Sequence, residues 1–317
     1  MLVNKVDNDN QLSLSDHGIV TDLGRLLRSR HWAQSLQLFS RQAARSMLLG
    51  NVKSRYRGRG MEFEEVRRYQ PGDDIRTIDW KVSARAQGTF TKLFCEERER
   101  PCHILVDQRS SLFFGSTGLF KSVLAAELAG GLAWAALAGG DRVGGQVIGD
   151  YLELDNRSRR NRQAVLRFLH DIHELNSALV DPTQESQQDK NRLSTSIEEC
   201  RRITRPGTAV FVISDFQDFD QDAAKALSNL GKHTDVSLFR VSDPMEKTLA
   251  LKGDLAISDG DKSARVRVST RVQRAYRDKL EQHNALLKAA AVQARALYAE
   301  FDTTVTARKA LIQLFAK

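Results

Sequence analysis

Two apolar runs in this chain end in aspartate. One is His103-Ile104-Leu105-Val106-Asp107, followed by Gln108-Arg109-Ser110-Ser111, and the other is Val210-Phe211-Val212-Ile213-Ser214-Asp215. An acidic residue straight after a buried parallel strand sets a carboxylate in the crevice beyond the strand's carboxyl end, where α/β sheets hold their ligands. Two such carboxylates with Ser111 nearby form a cluster of hard oxygen donors suited to a divalent cation such as Mg²⁺. The same aspartates also suit a second role, capping the segments that follow. Sequence alone leaves both open.

A second cluster of chemistry-bearing residues lies upstream. Glu62, Glu65, Arg67, Arg68, Asp73, Asp74, Arg76, Asp79, Lys81 and Arg85 alternate in sign around Phe63, Tyr69, Ile75, Ile78 and Trp80. Such a set can stitch an irregular segment down as an ion-pair network over an aromatic platform. The rival reading is a docking face for a partner, carried by Arg67, Asp73, Asp74, Arg76, Asp79, Trp80 and Arg85. A third, a divalent-metal hydrolase built on Asp73, Asp74 and Asp79, requires those carboxylates to converge unpaired in a pocket. His170 and His173, three apart beside Asp171 and Glu174, read as a solvated helix face rather than a metal site. There is no P-loop and no G-x-S-x-G elbow.

The elements that must position these residues follow an α/β rhythm. Apolar residues from Leu23 to Leu49 recur at helical steps. Residues 61–100 carry scattered short apolar residues around a Pro71-Gly72 turn. Strands are predicted at His103–Val106, Val143–Ile148, Thr208–Ser214, Asp235–Val241 and Thr303–Thr306. Helices are predicted at Lys121–Ala138, Asn161–Leu175, Ile197–Ile203, Asp222–Leu230 and Arg308–Phe315, with a long one over Arg271–Glu300. Residues 181–191 read as a polar loop, and Leu255–Ser258 and Ala264–Val268 as a hairpin about Asp259-Gly260. The expected fold is a mostly parallel sheet with helices on both faces. Its divisions are a basic helical segment 1–50, an irregular segment 51–100 and an α/β domain 101–317.

Composition narrows the function classes. The 317 residues are 41% hydrophobic and 28% charged, enough apolar content for a sizeable core and too much for wholesale disorder. The three cysteines, Cys95, Cys102 and Cys200, form no disulfide framework and suit a reducing compartment. The Ala- and Gly-rich stretch Ser122–Gly140, with Glu127 inside it, reads as a buried helix rather than a membrane span. A cytoplasmic protein with no membrane span is expected. Residues 1–60 hold ten basic and four acidic residues, most of the net charge of +8. That segment offers salt-sensitive attraction to nucleic acid or an anionic surface, with no sequence specificity. It is expected to be dispensable for folding.

The stretch from Gly58 to Arg85 carries a resemblance. Gly58-Arg59-Gly60-Met61-Glu62-Phe63, Arg67, Tyr69, Pro71-Gly72-Asp73-Asp74, Arg76, Ile78-Asp79-Trp80 and Ser83-Ala84-Arg85 closely resemble the signature of the bacterial domain-of-unknown-function family 58. The resemblance extends from about Arg45 to the C-terminus, and it implies a von Willebrand factor A-like domain after the signature. It also implies a metal-ion-dependent adhesion site, D-x-S-x-S with a later Thr and Asp. Asp107, Ser111, Thr195 and Asp215 match those positions, with Mg²⁺ as the implied ion. Arg109 stands where the first Ser should be, and a guanidinium cannot ligate a cation, so the site is degenerate. The implied function is non-enzymatic: an adaptor beside a MoxR-type AAA+ ATPase and a client protein, in complex assembly, remodelling or metal insertion. On that reading Arg109 receives a partner's carboxylate at the crevice.

Overall fold

The computed structural model describes residues 18–39, 61–86, 88–96, 100–180, 193–247, 253–258 and 263–315. The polar loop 181–191, the residues before 18, the stretch 40–60 and the Asp259-Gly260 turn lie outside them, as do the side chains of Glu62, Phe63, Glu65 and Cys95. The chain divides into two compact units, Ser54–Arg100 and the remainder, Met1–Lys53 with Pro101–Lys317.

The larger unit is built on a six-stranded sheet of β3 (Cys102–Asp107), β4 (Val143–Ile148), β5 (Glu153–Arg159), β6 (Ala209–Ser214), β7 (Asp235–Ser242) and β10 (Leu297–Asp302), ordered β10-β7-β6-β3-β4-β5. All pairings are parallel except β4 with β5. Every residue of β3, β4 and β6 is buried, as continuous apolar runs require when helices cover both faces. The expected α/β architecture is the one observed. Strand order reverses between β3 and β6, so the switch-point crevice opens between the ends that carry Asp107 and Asp215. The antiparallel edge strand β5 was not predicted: its sequence, Glu-Leu-Asp-Asn-Arg-Ser-Arg, has too little apolar content to signal a strand.

Helix α4 (Lys121–Ala138) runs through the centre of one helical layer and is buried on nearly all sides, as the core-helix reading requires. Small residues make this possible. A Cβ on Gly131 would stand 2.4 Å from Trp32 and 2.8 Å from Leu311, so helices pack here at backbone range. Glu127 is partly buried against Arg25 at 2.6 Å; desolvation raises its carboxyl, and the guanidinium pulls it back.

Arg25 belongs to the N-terminal segment, which is no appendage. Helices α1 (Leu23–Arg28) and α2 (Arg30–Ala33) replace the single long helix expected from Leu23, and chain leaves helix after Ala33. Leu26, Ala33, Leu36 and Leu38 are buried in the same core as α4 and the sheet. Trp134 donates to the Leu26 carbonyl, Phe120 N–H to that of Gly18, and Gln37 N–H to that of Phe315. A buried relay runs from the Thr21 N–H to Asn176 Oδ1 (2.7 Å), and from Asn176 Nδ2 to Gln108 Oε1 (2.7 Å) at the end of β3. Residues 18–39 complete the core, which argues against the expectation that this segment is dispensable for folding.

Helix α5 (Arg162–Ala178) and helix α6 (Leu193–Ile203) follow β5, and α7 (Gln221–Leu230) follows β6. The predicted hairpin is observed as β8 (Gly253–Ser258) and β9 (Ser263–Val268), antiparallel. The long helix α9 (Thr270–Gln293) stops well short of Glu300. Arg295 takes a left-handed conformation (φ 54°) and the Ala296 N–H returns to the Ala291 carbonyl, a Schellman stop made without glycine. The last strand is therefore β10, not Thr303–Thr306, and α10 (Ala307–Phe315) closes the fold.

In the smaller unit, residues expected to be irregular form an antiparallel pair, β1 (Met61–Arg68) with β2 (Phe90–Glu96). Between them lie a 3₁₀ turn (Ile75–Thr77) and the single-turn helix α3 (Trp80–Ser83).

Two measurements check this core. Leu26→Ala should lower stability by about 3 kcal/mol in urea unfolding, since it opens a cavity beneath α4. His103, buried on β3 with Nε2 3.1 Å from Gln146 Oε1, has its pKa pushed down to about 4, chiefly by burial, with Gln146 opposing. Between about 6.5 and 4 the unfolded chain binds a proton that the folded protein refuses, so stability falls as pH drops through that window. The loss is about 3 kcal/mol, and His103→Gln should remove it from the pH profile.

Candidate functional site

Asp107 closes β3 with its side chain fully buried, and Arg109 folds back over it. Arg109 Nε donates to Asp107 Oδ1 (2.9 Å) and Nη2 to Oδ2 (2.6 Å). The Arg109 backbone N–H adds a third bond to Oδ1 (3.0 Å), and the Ser214 hydroxyl a fourth to Oδ2 (2.7 Å). The other edge of the guanidinium engages Asp218, with Nη1 to Oδ2 at 2.6 Å and Nη2 to Oδ1 at 3.0 Å. One arginine thus holds two carboxylates, each through two bonds, and the loop after β3 is tied to the loop after β6. Burial raises the Asp107 carboxyl, and the guanidinium and Ser214 pull against it. Burial also works on Asp218, whose side chain is 37% exposed, but Arg109 outweighs it and leaves that carboxyl below its usual range.

A second cation sits beside the first. Lys121 opens helix α4, is 0% exposed, and donates from Nζ to Asp215 Oδ2 (2.9 Å) and Glu246 Oε1 (2.6 Å). Burial disfavours its charge, but the two carboxylates win and raise its pKa. Glu246 lies in the short helix α8 (Pro244–Lys247), which Asp243 fastens to the crevice. Asp243 accepts from the Ser116 N–H (2.8 Å) and hydroxyl, from the Met245 N–H (2.9 Å) and from the Thr303 hydroxyl (2.7 Å).

The loop that aims Asp215 and Asp218 is strained. Phe216 has φ 57°, an outlier for a bulky side chain and of order 1–3 kcal/mol. Its ring is fully buried, its N–H bonds Ser214 Oγ (3.0 Å), and its carbonyl lies 2.8 Å from His283 Nε2 on α9.

The structure brings Asp107, Arg109, Ser111 and Asp215 to one crevice; Ser111 is only in long contact with Asp215, at 3.5 Å. Thr195 is elsewhere: it is exposed on α6, lining a surface depression with Glu198, Asp222 and Lys225. Arg109 is not open to a partner's carboxylate, because Asp107 and Asp218 already take its donors. Lys121, Ser214, Asp218, Asp243 and Glu246 were missed by sequence reasoning. Lys121 did leave a signal, as the lone cation heading an apolar helix whose N-terminal end favours anions.

In the smaller unit the acidic residues have local duties. Asp73 pairs with Arg67 (2.7 Å) and accepts the Gln70 N–H, which, ahead of Arg67, lowers its pKa against burial. Asp74 caps the 3₁₀ turn, and Asp79 caps α3 through the Lys81 and Val82 N–H groups. They do not converge unpaired as a hydrolase would need. Nor is Trp80 a platform under an ion-pair network: it is 69% exposed, and Ile75 65%. Among the described residues the histidine pair is also split. His170 gathers with Asp171 and Glu174, while His173 turns to the Thr21 carbonyl.

The crevice does not fit the divalent cation implied by the resemblance. Each Asp107 oxygen already accepts two hydrogen bonds, which uses the acceptor sites of a carboxylate. Asp215 is committed to Lys121 and to the Gln217 N–H. A dication would have to settle between two fixed cations, without the Ser and Thr hydroxyls that Arg109 and the exposed Thr195 fail to supply.

These features define an α/β domain whose crevice holds its cations and carboxylates in internal ion pairs, joined in one chain to a small β unit with an exposed tryptophan. The chain belongs to the family described as "Protein of unknown function DUF58", whose model matches residues 65–289. It is similar to the uncharacterized protein Rv1480 of Mycobacterium tuberculosis (strain ATCC 25618 / H37Rv), with 27% identity over 228 residues, covering 72% of this chain and 69% of that protein. It is also similar to the uncharacterized protein YeaD of Bacillus subtilis (strain 168), with 46% identity over 46 residues, 14% of this chain and 12% of that protein. Similar solved structures include the conserved hypothetical protein BatB from Bacteroides thetaiotaomicron, at TM-score 0.45 and 18% identity, covering 68% of this chain and 96% of that one. A von Willebrand factor type A structure from Catenulispora acidiphila has TM-score 0.35 and 10% identity, covering 72% and 44%.

Removing Arg109 strands Asp107 without its cation in a dry site. Arg109→Met should cost about 3–5 kcal/mol in chemical denaturation. Asp218→Asn should cost markedly less, because water already reaches that carboxylate. Equal losses would mean that Asp107 does not depend on the guanidinium.

Proposed function

We propose that this chain is a non-enzymatic protein-interaction module whose docking face is the Trp80 side of the Ser54–Arg100 unit. The observation that carries the reading is the pair of large apolar side chains left in water, Trp80 at 69% and Ile75 at 65% exposure, within the turn region between β1 and β2. Exposed tryptophan is the side chain most enriched at interface hot spots. Arg68, Arg76, Lys81 and Arg85 are exposed in the same unit and form no ion pair among the described residues, which suits a partner with an apolar anchor and an acidic rim. The capped and paired Asp73, Asp74 and Asp79 hold the turn in shape rather than offering reactive oxygens. The engaged donors of the crevice support a scaffold role for the larger unit.

The resemblance noted in the sequence suggests the partner: a MoxR-type AAA+ ATPase in the cytoplasm, with this chain as adaptor for a client protein. The test is a binding titration of the purified ATPase, with ATP, against wild type and the Trp80→Ala/Ile75→Asp variant. The variant should lose about 2–4 kcal/mol of binding, a 30- to 1,000-fold weakening, with its circular dichroism unchanged. Unaltered affinity would discard this face, and no wild-type binding would discard the ATPase as partner.

A further inference from the structure

Lys121 is an anomaly that needs a cause. It is fully buried, begins an 18-residue helix whose N-terminal end repels cations, and follows an N-cap, Phe120, that supplies no side-chain hydrogen bond. Nothing about helix formation favours lysine there. What favours it is the pair of carboxylates it meets, Asp215 beyond β6 and Glu246 on α8. Arg109 answers the same need on the other side of the crevice, between Asp107 and Asp218. Two cations therefore face four carboxylates at the switch point of the sheet. The two better-hydrated carboxylates, Asp218 and Glu246, lie at its rim, with side-chain exposures of 37% and 22%.

We infer that this crevice has exchanged a diffusible cation for two tethered ones: the Lys121 ammonium and the Arg109 guanidinium are its resident positive charges, and this end of the sheet holds its shape without metal. The geometry accounts for details that a vacant metal site would leave unexplained. The ammonium donates to both Asp215 and Glu246, and so joins three elements, α4, the loop after β6 and α8. Gln217 Nε2 also reaches Glu246 Oε1, at 3.2 Å, and the Asp243 N–H reaches Oε2, at 3.0 Å, so Glu246 is held in place for the lysine. A bound divalent ion would draw oxygens to about 2.0–2.6 Å in a shell of six or more ligands. A lysine instead needs a few acceptors at hydrogen-bond distance, as found. The inference is independent of the docking face above.

The experiment is thermal unfolding of the full chain with MgCl₂, MnCl₂, EDTA, ethylammonium chloride or tetramethylammonium chloride at matched ionic strength, with calorimetric titration of both metals. Wild type should show no metal binding and the same melting temperature in all five. Lys121→Ala should melt about 10 °C lower, and Mn²⁺ or ethylammonium, but not tetramethylammonium, should recover part of the loss. A second variant, Lys121→Met/Asp215→Asn/Glu246→Gln, removes the cation together with the charges it neutralises, and should melt nearer to wild type than Lys121→Ala. Stoichiometric Mg²⁺ or Mn²⁺ binding by wild type would overturn the inference. So would a Lys121→Ala protein that no cation rescues, or a triple variant as unstable as the single one, since either would make Lys121 a packing residue.

Discussion

The guanidinium of Arg109, gripped between Asp107 and Asp218, is the constraint on which the crevice depends. A fully buried carboxylate at the end of β3 is tolerable only with a compensating charge and with its acceptor sites filled. Arg109, two residues along the chain, supplies the charge and three of the four hydrogen bonds, Ser214 gives the fourth, and the far edge of the guanidinium reaches across the switch point to the loop after β6. That loop is itself under strain at Phe216, so its position is held by Arg109, Ser214 and His283 together rather than by local preference. Lys121 repeats the arrangement at the start of α4, and Asp243 extends it to the end of β10 through Thr303.

A rigid, internally paired crevice changes the kind of work this edge of the sheet can do. Open carboxylates would offer a metal site or acid–base chemistry. Here the strongest donors and acceptors are spent on each other, and the gain is a fixed arrangement of loops. In the smaller unit Trp80 and Ile75 are exposed, and Arg68, Arg76 and Arg85 form no ion pair among the described residues. That exposed pair fits the adaptor role proposed above, since affinity comes from groups that lose water only when the partner arrives.

The helical layer follows from one economy. Alanine and glycine in α4 let α1, α2 and α10 approach closely, and the N-terminal segment then covers apolar surface that would otherwise face water. Of the basic residues described there, Arg25 pairs with Glu127 and Arg28 with Asp22. Within residues 18–39 it is Leu26, Ala33, Leu36 and Leu38, not charge, that fix the segment on the core.

Much of the fold was legible because it is local. The mostly apolar, fully buried strands β3, β4 and β6, the limits of α4, and the aspartates at the ends of β3 and β6 all follow from short-range pattern and from the rule that such sheets carry their sites at strand ends. Strand β5 and the end of α9 were not legible, because a polar edge strand and a left-handed arginine leave no mark in hydrophobic period. The site divides in the same way. Sequence by itself put Asp107, Ser111 and Asp215 in one crevice and showed that Arg109 breaks the ligand pattern. Only the tertiary structure decided that Arg109 turns inward to two carboxylates, that Lys121 supplies the second cation, and that Thr195 stays outside. The physical reason is that a charge's meaning depends on which opposite charge it meets after burial, and those partners, Asp218 and Glu246, lie more than a hundred residues away from the cations they satisfy.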